Sequence, residues 1–145
     1  MVIKKKQDRS SRIHGITPGD LLPERQYQPD NVQLFLYNSA LWNAHRIHFD
    51  YPYTTEVEGY PGLVIAGPLL GDWLNQCVTE WLEEDGDLMT IEYSNRKAAF
   101  IGETLRSGGK VLSCDYAKRE VEIEIYIKNE ADEIIAPGTA VVRFS

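Results

Sequence analysis

Residues 67–83 read GPLLGDWLNQCVTEWLE. Counted from Leu70, the apolar residues Leu70, Trp73, Leu74, Cys77, Val78, Trp81 and Leu82 stand at offsets 0, 3, 4, 7, 8, 11 and 12. That recurrence draws one continuous stripe on a 3.6-residue helix. Asp72, Asn75, Gln76, Thr79, Glu80 and Glu83 occupy the opposite face. Pro68 suits a first helical turn, where its missing N–H costs nothing. The run Glu83-Glu84-Asp85-Gly86 ends the pattern, so the spacing predicts a helix over Gly67–Glu83. A helix with so wide an apolar face needs a cover. The sequence after it supplies strands.

The clearest strand is 120–128. Val121, Ile123, Ile125 and Ile127 alternate there with Glu122, Glu124 and Tyr126, the period of an antiparallel strand with one wet face. Met89, Ile91 and Tyr93 alternate similarly. Lys97–Arg106 and Lys110–Asp115 read as strands joined or bent at Gly108-Gly109. Residues 129–132 form a turn, and 139–144 close the sheet. The expected class is α+β: an antiparallel sheet wrapped around the Gly67–Glu83 helix.

Before that helix the chain is loop-rich. Asp30 is a good N-cap with Gln33 three residues on. Val32, Phe35, Leu36, Ser39 and Ala40 recur at helical spacing, which predicts a helix over Asn31–Trp42. The connection from Asn43 to Ala66 is long for a compact domain, and such loops are usually functional or disordered. This one is rich in Tyr, Val and Ile, so part of it must pack. Residues 1–15 read as a flexible tail and 16–145 as one domain. Lys4, Lys5 and Lys6 are followed by a polar stretch where a signal peptide would be apolar.

The 145 residues suit one domain with its own core. Fifteen Lys+Arg against 22 Asp+Glu give a net charge of −7, which argues against nucleic-acid binding. No apolar run approaches the ~20 residues of a membrane helix. Two cysteines, Cys77 and Cys114, are too few for a disulfide framework, and fit thiols in the reducing cytoplasm.

Two features carry chemistry. The first is Asn43-Ala44-His45-Arg46-Ile47-His48-Phe49-Asp50, which holds two of the three histidines. Histidine is the commonest general base because it titrates near neutrality. Both histidines could equally be structural, capping the first helix or bonding to backbone. A metal site built from His45, His48 and Asp50 lacks the helical HExxH frame, and no metal is expected. No GxSxG nucleophile motif occurs. The second feature is Val64-Ile65-Ala66-Gly67-Pro68-Leu69, an apolar run that delivers a glycine to a helix start. Its free N–H groups could stabilise a developing oxyanion.

The run from Phe35 to Leu70, with NAHRIHFD and EVEGYPGLVIAGPL inside it, resembles the MaoC-like hot-dog hydratases. It is most similar to their hydroxyacyl-thioester dehydratase type 2 and mesaconyl-CoA hydratase branch. Phe100-Ile101-Gly102-Glu103-Thr104-Leu105 resembles a bend of the same family. The resemblance implies a single hot-dog fold with the Gly67–Glu83 helix at its centre. It implies hydration or dehydration of a coenzyme A or carrier-protein thioester, with no cofactor beyond the carrier arm of the substrate. It also implies an active site near a homodimer interface. The family's catalytic histidine falls on His48. The aspartate five residues earlier falls on Asn43, an amide here as in that branch. The histidine that often precedes the helix glycine is Ala66. The backbone donor to the thioester carbonyl falls on Gly67, and a pocket-lining helix residue on Asn75. The implied reaction is reversible syn addition of water to a 2-enoyl thioester. Two rivals stand beside it: a hot-dog thioesterase, for which Asp72 is the available carboxylate, and a non-catalytic acyl-binding or partner subunit.

Overall fold

The computed structural model describes residues 9–145. Its elements are β1 (Leu21–Tyr27), α1 (Asn31–Ala40), α2 (Gly67–Leu82), β2 (Gly86–Tyr93), β3 (Leu105–Asp115), β4 (Glu120–Lys128) and β5 (Ile134–Phe144). The five strands form one antiparallel sheet in the order β1-β3-β4-β5-β2. α2 packs on its concave face, touching all five strands. This is the expected helix wrapped by a sheet.

The packing follows the two periods read from the sequence. Leu70, Trp73, Leu74, Cys77, Val78 and Leu82 of α2 are buried. They meet Val121, Ile123, Ile125 and Ile127 of β4, also buried, and the inward residues of β3 and β5. Trp73 stacks on Tyr27 of β1, with ring centroids 4.1 Å apart.

Four expectations need correction. The strand expected over Lys97–Arg106 is absent from 97–104: β3 starts at Leu105 and runs unbroken through Gly108-Gly109. The glycines make no bend because the Tyr126 ring of β4 lies directly over Gly108, where a Cβ would sit. β1, unforeseen, carries a single buried apolar residue, Leu22, and so shows no period of 2. Its Pro23 is tolerated because β1 is an edge strand.

α1 forms with Asp30 as N-cap, its carboxylate accepting from Gln33 N–H at 2.8 Å. It ends at Ala40, two residues early, because Trp42 adopts φ 56°. Its inward residues are Leu34 and Asn38; the stripe of Val32, Phe35 and Leu36 faces out.

The flexible tail expected over 1–15 falls partly on residues 1–8, outside the described chain. Residues Arg9–Gly15 form a 3₁₀ helix instead. Ile13 is fully buried, and the Arg12 guanidinium caps α2 by donating to Leu82 O at 2.9 Å and Asp85 at 2.7 Å. Basic side chains favour the carbonyl end of a helix.

Candidate active site

The connection between α1 and α2 is ordered. Arg46–His48 make one 3₁₀ turn whose N-cap is His45. Tyr53–Val57 make a π-helical turn. Arg46 ties the two together: its guanidinium donates to Asp50 at 2.7 and 3.0 Å and lies 4.0 Å from the Tyr53 ring centre. Asp50 in turn accepts from Tyr53 N–H at 3.1 Å. Arg46 thereby holds the Asp50 carboxyl below its ordinary range. Asp50 is thus committed to Arg46 and does not converge with the histidines.

This brace sets His48. The residue is 8% exposed, and its Nδ1 lies 2.7 Å from the Val64 carbonyl oxygen. A carbonyl only accepts, so Nδ1 carries the proton and Nε2 of the neutral ring holds a free lone pair. Burial lowers the His48 pKa, and nearby His45 pushes in the same direction; the bond to Val64 opposes them. His48 is therefore a neutral imidazole at pH 7, the form that accepts a proton.

Val64 also bridges to Phe100, and Ile65 N–H donates to Ala99 O at 2.8 Å. The chain then turns into α2 at Gly67. Pro68 has no N–H, and Leu69 N–H is spent on Ala66 O at 3.0 Å. Among the described residues the N–H groups of Ala66 and Gly67 have no acceptor, and of the two it is Gly67 that lines the His48 cavity. His48 and Gly67 line one cavity of about 250 Å³, with Ile47, Val64, Asn95 and Arg96 among its other walls. The Asn95 amide fills the space a Cβ at position 67 would need. A base and an oxyanion donor in one cavity can move a proton next to a polarised carbonyl.

The other two expected site residues lie elsewhere. Asn43 lines a separate apolar groove of about 390 Å³ with Phe35, Asn38, Ser39, Trp42, Ala44 and Phe49. Its Oδ1 accepts from His45 N–H at 3.1 Å, an Asx turn that draws the side chain onto its own segment. Asn75 is on the exposed face of α2 and lines neither space. Asp72, the thioesterase candidate, accepts from Tyr37 O–H at 2.6 Å and is likewise outside the His48 cavity. Asn95 and Arg96 were missed. They stand in a polar stretch after β2 with no apolar period, and only the fold brings them against Gly67.

The family model of hydroxyacyl-thioester dehydratase type 2 matches residues 1–101. The mesaconyl-C(4)-CoA hydratase of Chloroflexus aurantiacus is 41% identical over 80 residues, covering 48% of this chain and 29% of the relative. The mitochondrial hydroxyacyl-thioester dehydratase type 2 of Schizosaccharomyces pombe is 31% identical over 81 residues, covering 55% of this chain and 27% of the relative. This chain therefore spans under a third of the length of these curated relatives. Among solved structures, a MaoC-like dehydratase superposes with a TM-score of 0.84 at 23% identity, over 92% of this chain and 42% of that one. The (R)-hydratase of A. caviae superposes with a TM-score of 0.81 at 13% identity, over 90% and 98% of the two chains. These likenesses establish the hot-dog architecture, with α2 as the wrapped helix. The matched segment runs from the first residue to Ile101 and so contains the His48 brace, the Val64 contact and the Gly67 helix start, and by that match the chain belongs to the hydroxyacyl-thioester dehydratase type 2 family.

Proposed function

We propose that this chain is a hydro-lyase that adds water to 2-enoyl thioesters of coenzyme A or a carrier protein and removes it from 3-hydroxyacyl thioesters. The observation that carries the reading is one cavity lined both by His48, whose bond to Val64 leaves Nε2 free, and by Gly67, whose N–H is unspent. In hydration, His48 Nε2 takes a proton from water as its oxygen adds to the β-carbon. Gly67 N–H steadies the enolate-like thioester oxygen, and the proton then goes to the α-carbon. The reverse sequence is dehydration. A base contributes typically ~10²–10⁴-fold and an oxyanion donor ~10²–10³-fold. The purified chain should interconvert 2-enoyl-CoA and 3-hydroxyacyl-CoA, followed at the enoyl absorbance. Release of free thiol without that interconversion would point to thioester hydrolysis, which the engagement of Asp72 by Tyr37 disfavours. No turnover of any thioester would leave the binding-subunit alternative.

Asn43 lines the groove beside the His48 cavity and not the cavity itself, so in this reading it orients the attacking water or the departing hydroxyl once its side chain leaves the Asx turn and swings toward His48. Asn43→Ala should then lower kcat about tenfold, the worth of roughly one hydrogen bond, with a smaller change in KM. Asn43→Asp should stay active, and its carboxylate should raise the His48 pKa and move the acid limb of the rate profile to higher pH. Unchanged kcat in Asn43→Ala would reduce Asn43 to the turn it makes with His45.

The active form is a homodimer. Of the two sheet edges, β1 carries Pro23, which cannot donate, whereas β2 has no proline and ends two residues before Asn95. A second copy paired on β2 covers that edge and closes the wall of the His48 cavity. Light scattering should give about twice the chain mass of 16.5 kDa; a stable monomer at micromolar concentration would exclude it. We place the protein in the cytoplasm. The unpaired thiols Cys77 and Cys114 support this placement, and no described helix is long and apolar enough to cross a membrane.

A further inference from the structure

Among the described residues Lys110 and Lys118 share with Arg96 the lack of an ion pair, but of the three it is Arg96 that lines the His48–Gly67 cavity. Arg12, Arg25, Arg46, Arg106 and Arg143 each hold a carboxylate. So does its neighbour Lys97, which binds Glu133. Among the described residues the Arg96 guanidinium has no ion pair, although the chain carries a net charge of −7. Glu92 and Glu124 line the adjoining cavity with it but form no ion pair with it. Its position is fixed all the same. Arg96 N–H donates to Ile135 O at 2.9 Å and Lys97 N–H to the same oxygen at 3.3 Å, which clips this loop to the start of β5. The side chain emerges where the wall of the His48–Gly67 cavity meets the cavity beside β2.

We propose that Arg96 binds an anionic group of the thioester substrate at the rim of the His48–Gly67 cavity, an inference that rests on the hydro-lyase reading. An exposed cation left unpaired on an acidic protein keeps its hydrogen-bond donors for an incoming anion, and a guanidinium matches carboxylate and phosphate alike. Two sources offer that chemistry: a carboxylate at the far end of the acyl group, or a phosphate of the coenzyme A or phosphopantetheine arm.

The test uses unreactive thioethers, so that binding is read apart from turnover. S-butyl and S-(3-carboxypropyl) derivatives of coenzyme A and of N-acetylcysteamine separate the two anions, since N-acetylcysteamine carries no phosphate. Affinities come from NMR titration of the isotope-labelled protein, which reads into the millimolar range. Arg96 is exposed and its pinned group is backbone, so Arg96→Gln keeps the fold. If the acyl carboxylate is the partner, Arg96→Gln weakens both carboxypropyl ligands about three- to tenfold and spares both butyl ligands. If phosphate is the partner, it weakens both coenzyme A ligands by that factor and spares both N-acetylcysteamine ligands. Arg96→Lys should recover part of the loss in either case. Equal affinities of wild type and Arg96→Gln for all four ligands overturn the proposal, as does a wild type that binds neither anionic class more tightly than S-butyl-N-acetylcysteamine. Arg96-dependent binding without turnover overturns the hydro-lyase reading and leaves this inference standing.

Discussion

His48→Ala is expected to lower kcat for enoyl-thioester hydration by ~10²–10⁴-fold, the usual contribution of a positioned general base. The same change removes a structural bond, because His48 Nδ1–H is the donor to the Val64 carbonyl. Leaving that oxygen unpaired should cost about 1–3 kcal/mol, a fall in Tm of roughly 2–12 °C for a chain of this size. His48→Asn separates the two roles. Its side-chain amide reaches about where Nδ1 stands, so it should restore much of the Tm while the rate stays low. A folded Ala or Asn variant turning over at a near-normal rate would remove His48 from the chemistry. The wild-type pH profile carries the same logic. Burial lowers the His48 pKa below its ordinary 6.5. The acid limb of kcat/KM should therefore lie below pH 6.5. The folded state binds this proton less readily than the unfolded chain does. The stability linked to His48 is thus fully present above about pH 6.5 and is lost as pH falls through the lowered folded value.

The largest loss of stability is expected from Leu74→Ala. Leu74 is fully buried at the middle of α2, where the helix lies on the sheet. Removing its side chain leaves a cavity that the strands cannot close, at a cost of about 2–5 kcal/mol. Phe35→Ala removes more apolar volume from α1, yet Phe35 is 58% exposed, so its cost should stay within about 0.5 kcal/mol. Urea unfolding of the two variants checks the contrast. A Phe35→Ala protein as unstable as Leu74→Ala would mean that α1 buries this face in the folded protein in solution.

That contrast also shows what could be read from sequence alone. α2 and β4 were legible because each has a single partner surface, and their apolar residues follow one period over several repeats. α1 was legible as a helix, through its Asp30 cap, but not in its facing. Its apolar residues lie on more than one side, and the inward ones are Leu34 and the polar Asn38. β1 was invisible because one buried leucine makes no pattern. The Gly108-Gly109 pair suggested a break where it serves close approach of a neighbouring ring. At the site, local chemistry offered Gly67 as a glycine at a helix start and His48 as one of two loop histidines, and the family resemblance chose His48 over His45. Asn95 and Arg96 were not legible, since a stretch after a strand acquires its meaning only from what the fold lays beside it. Asn43 and Asn75 came from motif correspondence, and the fold puts both outside the cavity that holds His48.

Trp42 holds a left-handed backbone with its indole 94% exposed, beside Asn43 and at the edge of the apolar groove. The other two tryptophans are sheltered: Trp73 lies buried under Tyr27, and Trp81 packs edge-on against Phe144. The protein thus carries a built-in optical reporter. Water around Trp42 gives its fluorescence a long-wavelength component open to iodide and acrylamide, while Trp73 emits further to the blue and is shielded. Anything that settles into the groove, whether an acyl chain or a second molecule, dries the Trp42 indole first. Its arrival registers as a blue shift and a loss of quenching in the unlabelled protein, at concentrations far below those a calorimeter needs.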